Sequence, residues 1–448
     1  MFSLAAVLTA ATPLSALMLP SGTRHAAPPT RRAHLVASAD KPVTAAVIGG
    51  GLGGLAVAIA LRRVGIDAHV YERAAELKGT AGTGLTLWPN GLSALAAIDP
   101  GLESLILADG KATTSIEVTT ADGLTKLPNP TGDPTRFTSE YGHPMINIHW
   151  ARLQSALASR LPSECLHLDC QMVDLAKGDD GRVALEFVDG SGTSKKTVTA
   201  DLAIGADGIN SHVRSLLVGD GPPRDAGRTI WRSIIDFDEA LLEPSGCTMS
   251  AGAGKVGFLT DLGEAGLYWS AFATDEALAQ STVDRAAFGD DVKSYLLAEF
   301  ADVYKVAQCI ERTPSEMVLE RRVADRKPLV DEAGHAAIPW AGVGAVTLLG
   351  DAFHAMIPSL GQGANSSFEG AYRLAAALAG ATAGDAGTKS VEAALREYEI
   401  AQMERVHWIV ERSAQQGKVV YEDRDEFMRA QGEAQDSMWG IKFAPLGA

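Results

Sequence analysis

The clearest pattern of apolar and polar positions lies between residues 43 and 73, which read VTAAVIGGGLGGLAVAIALRRVGIDAHVYER. The apolar run that ends at Ile48 is short enough for a buried parallel strand, and Leu55 to Arg63 has a helix-forming composition. A second apolar run ends just before Glu72. The segment therefore predicts a strand–helix–strand unit whose first turn consists of glycines.

Later segments have patterns of their own. A second α/β stretch covers about 145–215 and ends in DLAIGADGINSHVR. Residues 228–325 contain the strand-like runs TIWRSIIDF, KVGFLTDL and GLYWSAFAT, separated by glycine and acidic turns, which predicts an inserted sheet. From 366 to about 420, alanine-rich helical patterns dominate. No internal repeat is visible in the sequence.

Composition narrows the class of protein. With 448 residues the chain exceeds the usual size of a single core, so one large domain or two joined domains are expected. The formal net charge of −16 argues against nucleic-acid binding, which needs clustered Lys and Arg. The four Cys form no C-x-x-C pair and the ten His show no metal-site spacing, so we expect no metal site and no disulfide framework.

The first 39 residues differ from the rest of the sequence. Residues 1–19 are apolar and uncharged, residues 20–39 carry Arg24, Arg31 and Arg32, and the first acidic residue is Asp40. A secretory-type apolar region followed by an acid-free, Arg-bearing stretch predicts a two-part leader to an algal plastid (chloroplast). A simple secretory signal and a disordered tail on a cytoplasmic protein are the alternatives. Because no other long uncharged apolar run exists, we expect at most peripheral membrane contact.

The glycine turn satisfies G-x-G-x-x-G with Gly49, Gly51 and Gly54. The motif alone is weak, since about 0.5 accidental matches are expected at this glycine content. Its position between a strand and a helix, with Glu72 at the end of the next strand, predicts a dinucleotide site. The helix N-terminus suits a pyrophosphate, and the Glu72 carboxylate would repel a 2′-phosphate, which favours FAD or NAD over NADP.

A second glycine segment occurs about 300 residues later. An apolar run ends at Gly350-Asp351, a Gly-Gln-Gly turn follows at 361–363, and a helical pattern then begins. Glycines allow close approach to a ligand, and a strand-end carboxylate can accept hydrogen bonds from ribose hydroxyls, although an ordinary strand, turn and helix would show the same pattern. A cofactor long enough to touch both segments is FAD.

The chain resembles the class A FAD-dependent monooxygenases, the aromatic hydroxylase and zeaxanthin epoxidase-like family, because its motifs occur in the same order as in that family. The resemblance covers about residues 43–415. The matching positions are the glycine turn at 49–54 with Glu72-Arg73, GLTLWPN at 84–90, GADG at 205–208 with Ser211 and Arg214, Trp231-Arg232, Asp325-Arg326 with Pro328-Leu329, and Gly350-Asp351 with His354, Pro358, Gly361-Gln362-Gly363 and Asn365.

The resemblance implies an α/β (α+β) fold: a Rossmann-like FAD-binding domain, an inserted mixed β-sheet that binds substrate, and C-terminal helices. The predicted parts are a targeting leader (1–39), the FAD-binding domain in two parts (40–227 and 326–420), the substrate-binding sheet (228–325) and a C-terminal tail (421–448). The implied FAD-binding residues are Gly49, Gly51, Leu52, Gly54, Glu72, Arg73, Arg152, Asp207, Asp351, Pro358, Gly361, Gln362, Gly363, Ala364 and Asn365.

Some implied roles have structural alternatives. Asp207 can instead cap a helix, His354 can be a packed histidine, and Arg232 can form a structural ion pair. The chain also departs from the family pattern in three places. Trp150 replaces an Arg that commonly contacts FAD, with Arg152 as a substitute; Gly370 replaces a carboxylate; and Gln402 replaces an Arg of the C-terminal helix.

The implied reaction inserts one oxygen atom from O2 into an apolar or aromatic substrate through a flavin hydroperoxide, with NAD(P)H or another reductant as electron donor. No catalytic side chain is assigned, because the cofactor carries the chemistry. The aromatic or isoprenoid substrate is expected between the flavin and the sheet, with Trp231, Phe258, Tyr268 and Phe272 as candidate lining residues, although any one of them can instead be an ordinary core residue. The alternatives are a flavin dehydrogenase or reductase that does not use O2 and a non-catalytic flavin-binding protein. The sequence does not distinguish hydroxylation from epoxidation, and it does not give the oligomeric state.

Overall fold

The computed structural model describes residues 42–77, 83–129, 131–340, 342–379, 381, 389–419 and 435–447. The part of the chain from residue 42 onward forms one compact unit. The predicted leader at 1–39 and residues 421–434 of the predicted tail lie outside the described residues.

The strands of the described chain are mostly short and fall into four sheets. In chain order they are β1 (Thr44–Ile48), β2 (Asp67–Tyr71), β3 (Gly84–Leu87), β4 (Lys111–Ala112), β5 (Ser115–Thr120), β6 (Lys126–Leu127), β7 (Ile146–His149), β8 (Leu166–His167), β9 (Gln171–Lys177), β10 (Val183–Val188), β11 (Lys195–Ala200), β12 (Leu202–Gly205), β13 (Arg224–Ile235), β14 (Gly246–Gly252), β15 (Lys255–Asp261), β16 (Leu267–Thr274), β17 (Leu319–Asp325) and β18 (Val346–Leu348).

The α-helices flank these sheets. In chain order they are α1 (Leu52–Arg63), α2 (Pro89–Ile98), α3 (Pro100–Asp109), α4 (Phe137–Tyr141), α5 (Trp150–Ala158), α6 (His212–Leu217), α7 (Asp275–Gln280), α8 (Val292–Glu299), α9 (Tyr304–Arg312), α10 (Asp351–His354), α11 (Gly363–Leu378) and α12 (Val391–Val419). A further helical turn covers 435–439.

A five-stranded parallel sheet with the order β18-β12-β1-β2-β8 carries the predicted cofactor motifs. Its central strand β1 is almost wholly buried, as expected of an apolar strand covered on both faces. In the register, Ile48 of β1 faces Gly205 of β12, and Gly205 faces Leu348 of β18. The three predicted loops therefore leave the sheet at one carboxyl edge, where open α/β sheets bind ligands.

A seven-stranded mixed sheet with the order β17-β13-β16-β15-β14-β5-β6 confirms the predicted substrate-side sheet. It is broader than the predicted segment 228–325, because β5 and β6 come from residues 115–127 and β13 begins at Arg224. One face packs against α8 and α9 through a core that includes Trp269, Leu296 and Phe300.

Of the candidate pocket residues, Trp231 takes the alternative position and belongs to the core of the sheet. Its ring lies on the helix-covered face, 5.6 Å from the ring of Phe300 and 6.1 Å from that of Tyr295. Because successive side chains of a strand point to opposite faces, its neighbours Ile230 and Arg232 face the other way, toward the cavity described below. Within the described residues, no helix has the length and apolarity needed to cross a membrane.

Candidate cofactor and substrate site

The glycine turn after β1 is shaped by packing as much as by ligand access. Gly49 has φ +111°, and a Cβ there would lie 2.4 Å from the carbonyl oxygen of Ala206. A Cβ on Gly54 would lie 2.0 Å from the carbonyl oxygen of Gly49, so helix α1 could not keep its contact with the turn. Gly51 differs, because it lines the cavity and a Cβ there would meet no atom within 4 Å. Leu52, the first residue of α1, lines the cavity beside it.

Glu72 and Arg73 follow β2 and take different positions. The Glu72 carboxylate accepts hydrogen bonds from the backbone N–H groups of Gly50 at 2.6 Å and Ala74 at 2.9 Å. It therefore fixes the glycine turn to the end of β2 and does not itself line the cavity. Arg73 does line the cavity and brings a positive charge to the end where the pyrophosphate is predicted.

The second glycine segment also lines the cavity and packs beside the first, since a Cβ on Gly53 would lie 3.1 Å from the Leu349 side chain. Gly350, with φ +60°, leads into Asp351, whose side chain is open to the cavity. The protein around this carboxyl raises its pKa by desolvation. Pro358 and Gly361 also line the cavity, and Gly361 has φ +61° at the end of a short 3-10 turn.

The N-terminus of α11 lies directly after this turn. Gly363 and Ala364 line the cavity, so the unpaired backbone N–H groups of the first helical turn are close to it. Helix α1 begins at Leu52, which also lines the cavity, and its first turn packs against α11, since a Cβ on Gly53 would lie 3.3 Å from the Ser367 side chain. Two helix N-termini and an unobstructed glycine at position 51 suit a long, anionic cofactor, so the residues present fit FAD.

Gln362 and Asn365 are fully buried and pin the turn from behind. The Asn365 amide donates to the carbonyl oxygens of Thr86 at 3.0 Å and Gly361 at 2.8 Å, while its oxygen accepts from the Trp88 N–H at 3.0 Å. The Gln362 side-chain oxygen accepts from Asn90 at 2.9 Å. Neither side chain lines the cavity, so any part they take in cofactor binding is through the backbone they hold.

Asp207 lines the cavity and also stabilises the start of α6, although the N-cap residue of this helix is Ser211 and not Asp207. Its carboxylate accepts hydrogen bonds from the backbone N–H groups of His212 at 2.7 Å and Val213 at 3.1 Å, at the start of α6. Arg214, further along α6, is fully buried and donates to the carbonyl oxygens of Ala352 and Phe353. These contacts join the two loops that flank the predicted cofactor.

Arg152 does not line the cavity. Its guanidinium lies 3.6 Å from the carboxylates of both Asp109 and Glu264, whereas Trp150 lines the cavity. This placement does not support the predicted contact between Arg152 and FAD, and the physical reason is that side chains two residues apart on a helix point in different directions.

His354 is a packed histidine behind the second glycine segment. It is 2 % exposed, and desolvation lowers its pKa to about 4, so the neutral ring is the native form. Its Nε2 lies 3.2 Å from the Gln402 side-chain nitrogen. The ring contacts the supporting network and does not line the cavity.

The other two departures from the family pattern face each other. A Cβ on Gly370 would lie 3.1 Å from the Gln402 side-chain nitrogen. Gln402 uses this nitrogen to donate to the Ser366 carbonyl oxygen at 3.0 Å, and its oxygen accepts from Arg373 at 2.8 Å. The two positions at which this chain lacks a carboxylate and a guanidinium are therefore in contact.

The cavity has a volume of about 990 Å³ and extends from the two glycine segments to the open face of the seven-stranded sheet. Phe258, Tyr268 and Phe272 line it as predicted, with the Phe258 and Tyr268 rings 6.4 Å apart. Burial raises the pKa of the Tyr268 hydroxyl, although the charge of Arg232 opposes this shift. The sheet thus offers mostly apolar walls with a few polar groups, as binding cavities usually do.

Met438 and Trp439 also line the cavity, and sequence reasoning missed them. They belong to the segment predicted only as a C-terminal tail. The signal available in the sequence was the apolar pair Met438-Trp439, which follows a mostly polar stretch from 421 to 437.

One group of potential metal ligands occurs among the described residues, although the sequence predicted none. Ligand atoms of Asp67, His69 and Cys165 lie within 4.8 Å of one another. Arg62 occupies one oxygen of the Asp67 carboxylate at 2.7 Å, and we assign no metal to this group.

The fold and the site define an FAD-binding protein, and comparison with known proteins agrees. The FAD binding domain family matches residues 42–234 and 305–413. The aurachin C monooxygenase/isomerase of Stigmatella aurantiaca is 30% identical over 323 residues, which are 69% of this chain and 79% of that protein. The chloroplastic zeaxanthin epoxidase of Spinacia oleracea is 31% identical over 82% of this chain, which spans only 52% of that longer protein.

Among solved structures, Klebsiella pneumoniae HpxO complexed with FAD and uric acid superposes with a TM-score of 0.71, at 24% identity over 87% of this chain and 92% of that one. A salicylate hydroxylase substrate complex gives a TM-score of 0.66, at 21% identity over 90% of this chain and 96% of that one. The chain therefore belongs to the class A FAD-dependent monooxygenase family, and the predicted FAD dependence and oxidoreductase class are confirmed.

Proposed function

We propose that the protein oxygenates a small aromatic substrate, taking one oxygen atom from O2 and its electrons from NAD(P)H. The observation that carries this proposal is the single cavity that joins both glycine segments to the apolar face of the seven-stranded sheet. Such a cavity holds a cofactor and a second, largely apolar molecule side by side. When bound, FAD supplies electron transfer and the activation of O2.

The chain's own residues would bind and orient the cofactor. The N-termini of α1 and α11 would stabilise the phosphates through their free N–H groups, and Arg73 would add a positive charge. Asp351 would accept hydrogen bonds from sugar hydroxyls. The backbone from Gly361 to Ala364, which the side chains of Asn365 and Gln362 anchor, would hold the ring end.

The sheet would position the substrate and exclude water. Its cavity face is apolar at Ile230, Val256, Phe258 and Phe272, which limits the access of water to the reacting atoms. Arg232, whose Nε has no hydrogen-bond partner among the described residues, can donate to a polar substituent of the substrate. These residues favour a flat aromatic molecule with polar substituents, and urate and salicylate, for which two of the similar proteins are named, are molecules of this kind.

The nicotinamide donor and the cellular location are parts of the same proposal. The support for NAD(P)H is the resemblance of the 205–208 motif to that of nicotinamide-using relatives, together with the cavity position of Asp207. The support for a plastid is the composition of residues 1–39, together with the chloroplast location that the spinach relative's name gives for that protein. A fluorescent protein fused behind residues 1–39 should enter plastids; a secreted or cytosolic signal would overturn this part.

The decisive experiment uses the full chain purified with its cofactor. Its visible spectrum should show a bound flavin. Aromatic compounds and a carotenoid are then supplied with NADH or NADPH under ¹⁸O2, and label in an aromatic product supports the proposal. Consumption of the reductant without label indicates a dehydrogenase or reductase. Bound FAD with no turnover of any compound indicates a non-catalytic flavoprotein.

A further inference from the structure

The C-terminal segment 435–440 lies outside the residues that the family matches, yet it closes part of the cavity. Its Trp439 stacks on Trp88, with ring centroids 4.7 Å apart and ring planes 8° apart. The Trp88 ring in turn lies against the Gly361 turn, since a Cβ on Gly361 would be 2.8 Å from Trp88 Nε1. The stacked pair is therefore next to the loop where the flavin ring end is proposed.

The segment is fixed to the body of the protein by polar contacts. Arg405 of α12 donates to the carbonyl oxygens of Ser437 at 2.9 Å and Met438 at 2.8 Å. The Tyr141 hydroxyl donates to Asp436 at 2.8 Å. Contacts from both α4 and α12 hold the segment in one position, so Trp439 is a fixed part of the cavity wall.

Trp439 also joins an aromatic and apolar cluster, only part of which lines the cavity. Its ring lies 5.0 Å from the ring of Phe137 and 6.0 Å from that of Tyr141. Met356 and Leu360, from the loop before the Gly361 turn, belong to the same cluster. Flat rings pack well in offset or edge-to-face contact with such a wall, whereas a long, puckered hydrocarbon gains no comparable ring contacts.

We propose that residues 435–440, through the stacked pair Trp88 and Trp439, form the specificity wall of the substrate cavity and select flat aromatic molecules over isoprenoids. This inference rests on the proposed function and names the element that sets its substrate class. The wall acts by holding a large, flat apolar surface in place before the substrate binds, so little side-chain freedom is lost on binding.

The test measures binding separately from turnover. Full-length Trp439→Ala, Trp439→Phe and Phe443→Ala proteins are compared with wild type. Phe443 is the matched control, because it packs on Tyr372 at 4.7 Å and does not line the cavity. Uric acid, salicylate, 2-aminobenzoylacetate and zeaxanthin are titrated into the FAD-loaded proteins, and Kd is read from the change in the flavin spectrum.

Trp439→Ala should raise the Kd of the aromatic compound that wild type binds best by about tenfold, the size of one lost aromatic contact. Trp439→Phe should recover binding to within about threefold, and Phe443→Ala should match wild type. The affinity for FAD should change less than about threefold in all variants. If Trp439→Ala fails to fold, Met438→Ala should still weaken aromatic binding at least twofold.

Three results would overturn the inference: an unchanged aromatic Kd in Trp439→Ala, an equal loss in Phe443→Ala, or a wild type whose spectrum responds to zeaxanthin alone. Failure of the proposed function looks different. In that case the aromatic compound binds and Trp439→Ala weakens it, but no labelled oxygen reaches any product.

Discussion

Replacing Glu369 by Gln should destabilise the protein more than the loss of any surface ion pair. Glu369 is fully buried, and its carboxylate pairs with the Arg405 guanidinium at 2.8 and 3.0 Å and with Arg373 at 3.2 Å. Asn90 also donates to it at 2.6 Å. The carboxylate thus joins helices α2, α11 and α12 at one point behind the cavity.

The size of the stability loss follows from the charges of Arg405 and Arg373, which lose their carboxylate partner. Removing one partner of a buried ion pair typically costs about 3–5 kcal/mol, because the other charge stays buried without compensation. The amide of Gln keeps one oxygen as an acceptor, and the Arg373 side chain is 20% exposed, so water can screen it. We therefore expect the lower end, a loss of about 3 kcal/mol.

Urea unfolding of wild type and variant measures this loss. With a urea dependence of roughly 3 kcal/mol per molar, the midpoint should fall by about 1 M. Glu392→Gln is the control, because its ion pair with Lys177 has side chains 46% and 43% exposed, and its removal should change stability by less than about 0.5 kcal/mol. A Glu369→Gln midpoint indistinguishable from that of Glu392→Gln would refute the reasoning.

Three further predictions concern single positions. Because burial lowers the pKa of His354 to about 4, the unfolded chain takes up a proton between pH 6.5 and 4 that the native protein refuses, and stability falls as the pH falls through this window. Urea unfolding at pH 7.5 and 5.0 should show wild type losing about 2 kcal/mol more than His354→Asn; equal losses would contradict this. Gly54→Ala should abolish stable FAD binding, since its Cβ would lie 2.0 Å from the Gly49 carbonyl oxygen, and a protein that retains the flavin spectrum after gel filtration would show otherwise. Arg152→Ala should bind FAD within about threefold of wild type by fluorescence titration, and a large loss would mean that Arg152 turns toward the cofactor.

The cofactor side of the fold was predictable because its signals are local. A short apolar strand, a glycine turn and an Ala-rich helix follow one another within 43–63, and the structure forms β1 and α1 there. The loops after β12 and β18 carry the same kind of signal. Parallel strands that end in glycine bring their loops to one edge of the sheet, so three distant segments meet without any need to know the side-chain packing.

The substrate side was predictable only in part. The runs TIWRSIIDF and GLYWSAFAT indicate strands, and the alternation shows that Trp231 and Arg232 point to opposite faces. Which face of β13 meets the cavity depends on where α8 and α9 pack, and this packing is tertiary structure that the local sequence pattern does not give. Both faces of β13 carry large apolar side chains, so apolarity alone did not distinguish core from cavity.

The roles of the buried amides also required the folded structure. Gln362 and Asn365 sit in a motif associated with the cofactor, which suggested direct contact. In the structure Asn365 bonds backbone groups of neighbouring loops, as polar side chains with no access to solvent usually do, whereas the Gln362 oxygen accepts from the Asn90 side chain. The Gln362 side-chain nitrogen has no hydrogen-bond partner among the described residues. In this motif the glycines line the cavity, and the two buried amide side chains anchor the backbone of the glycine turn.

Gly370 and Gln402 bear on whether the protein is an active enzyme. Taken singly, each removes a charged group from the family pattern and favours a non-catalytic flavoprotein. Because the two positions touch, the carboxylate and the guanidinium are absent from neighbouring positions, and the nearby Arg373 keeps Glu369 and Gln402 as partners. Gln402 fills the space with an amide whose oxygen and nitrogen both have partners, so the packing behind the cavity is intact. The two departures together therefore carry no argument against catalysis, and Trp150, which alone of the three lines the cavity, is the departure that can alter cofactor or substrate binding.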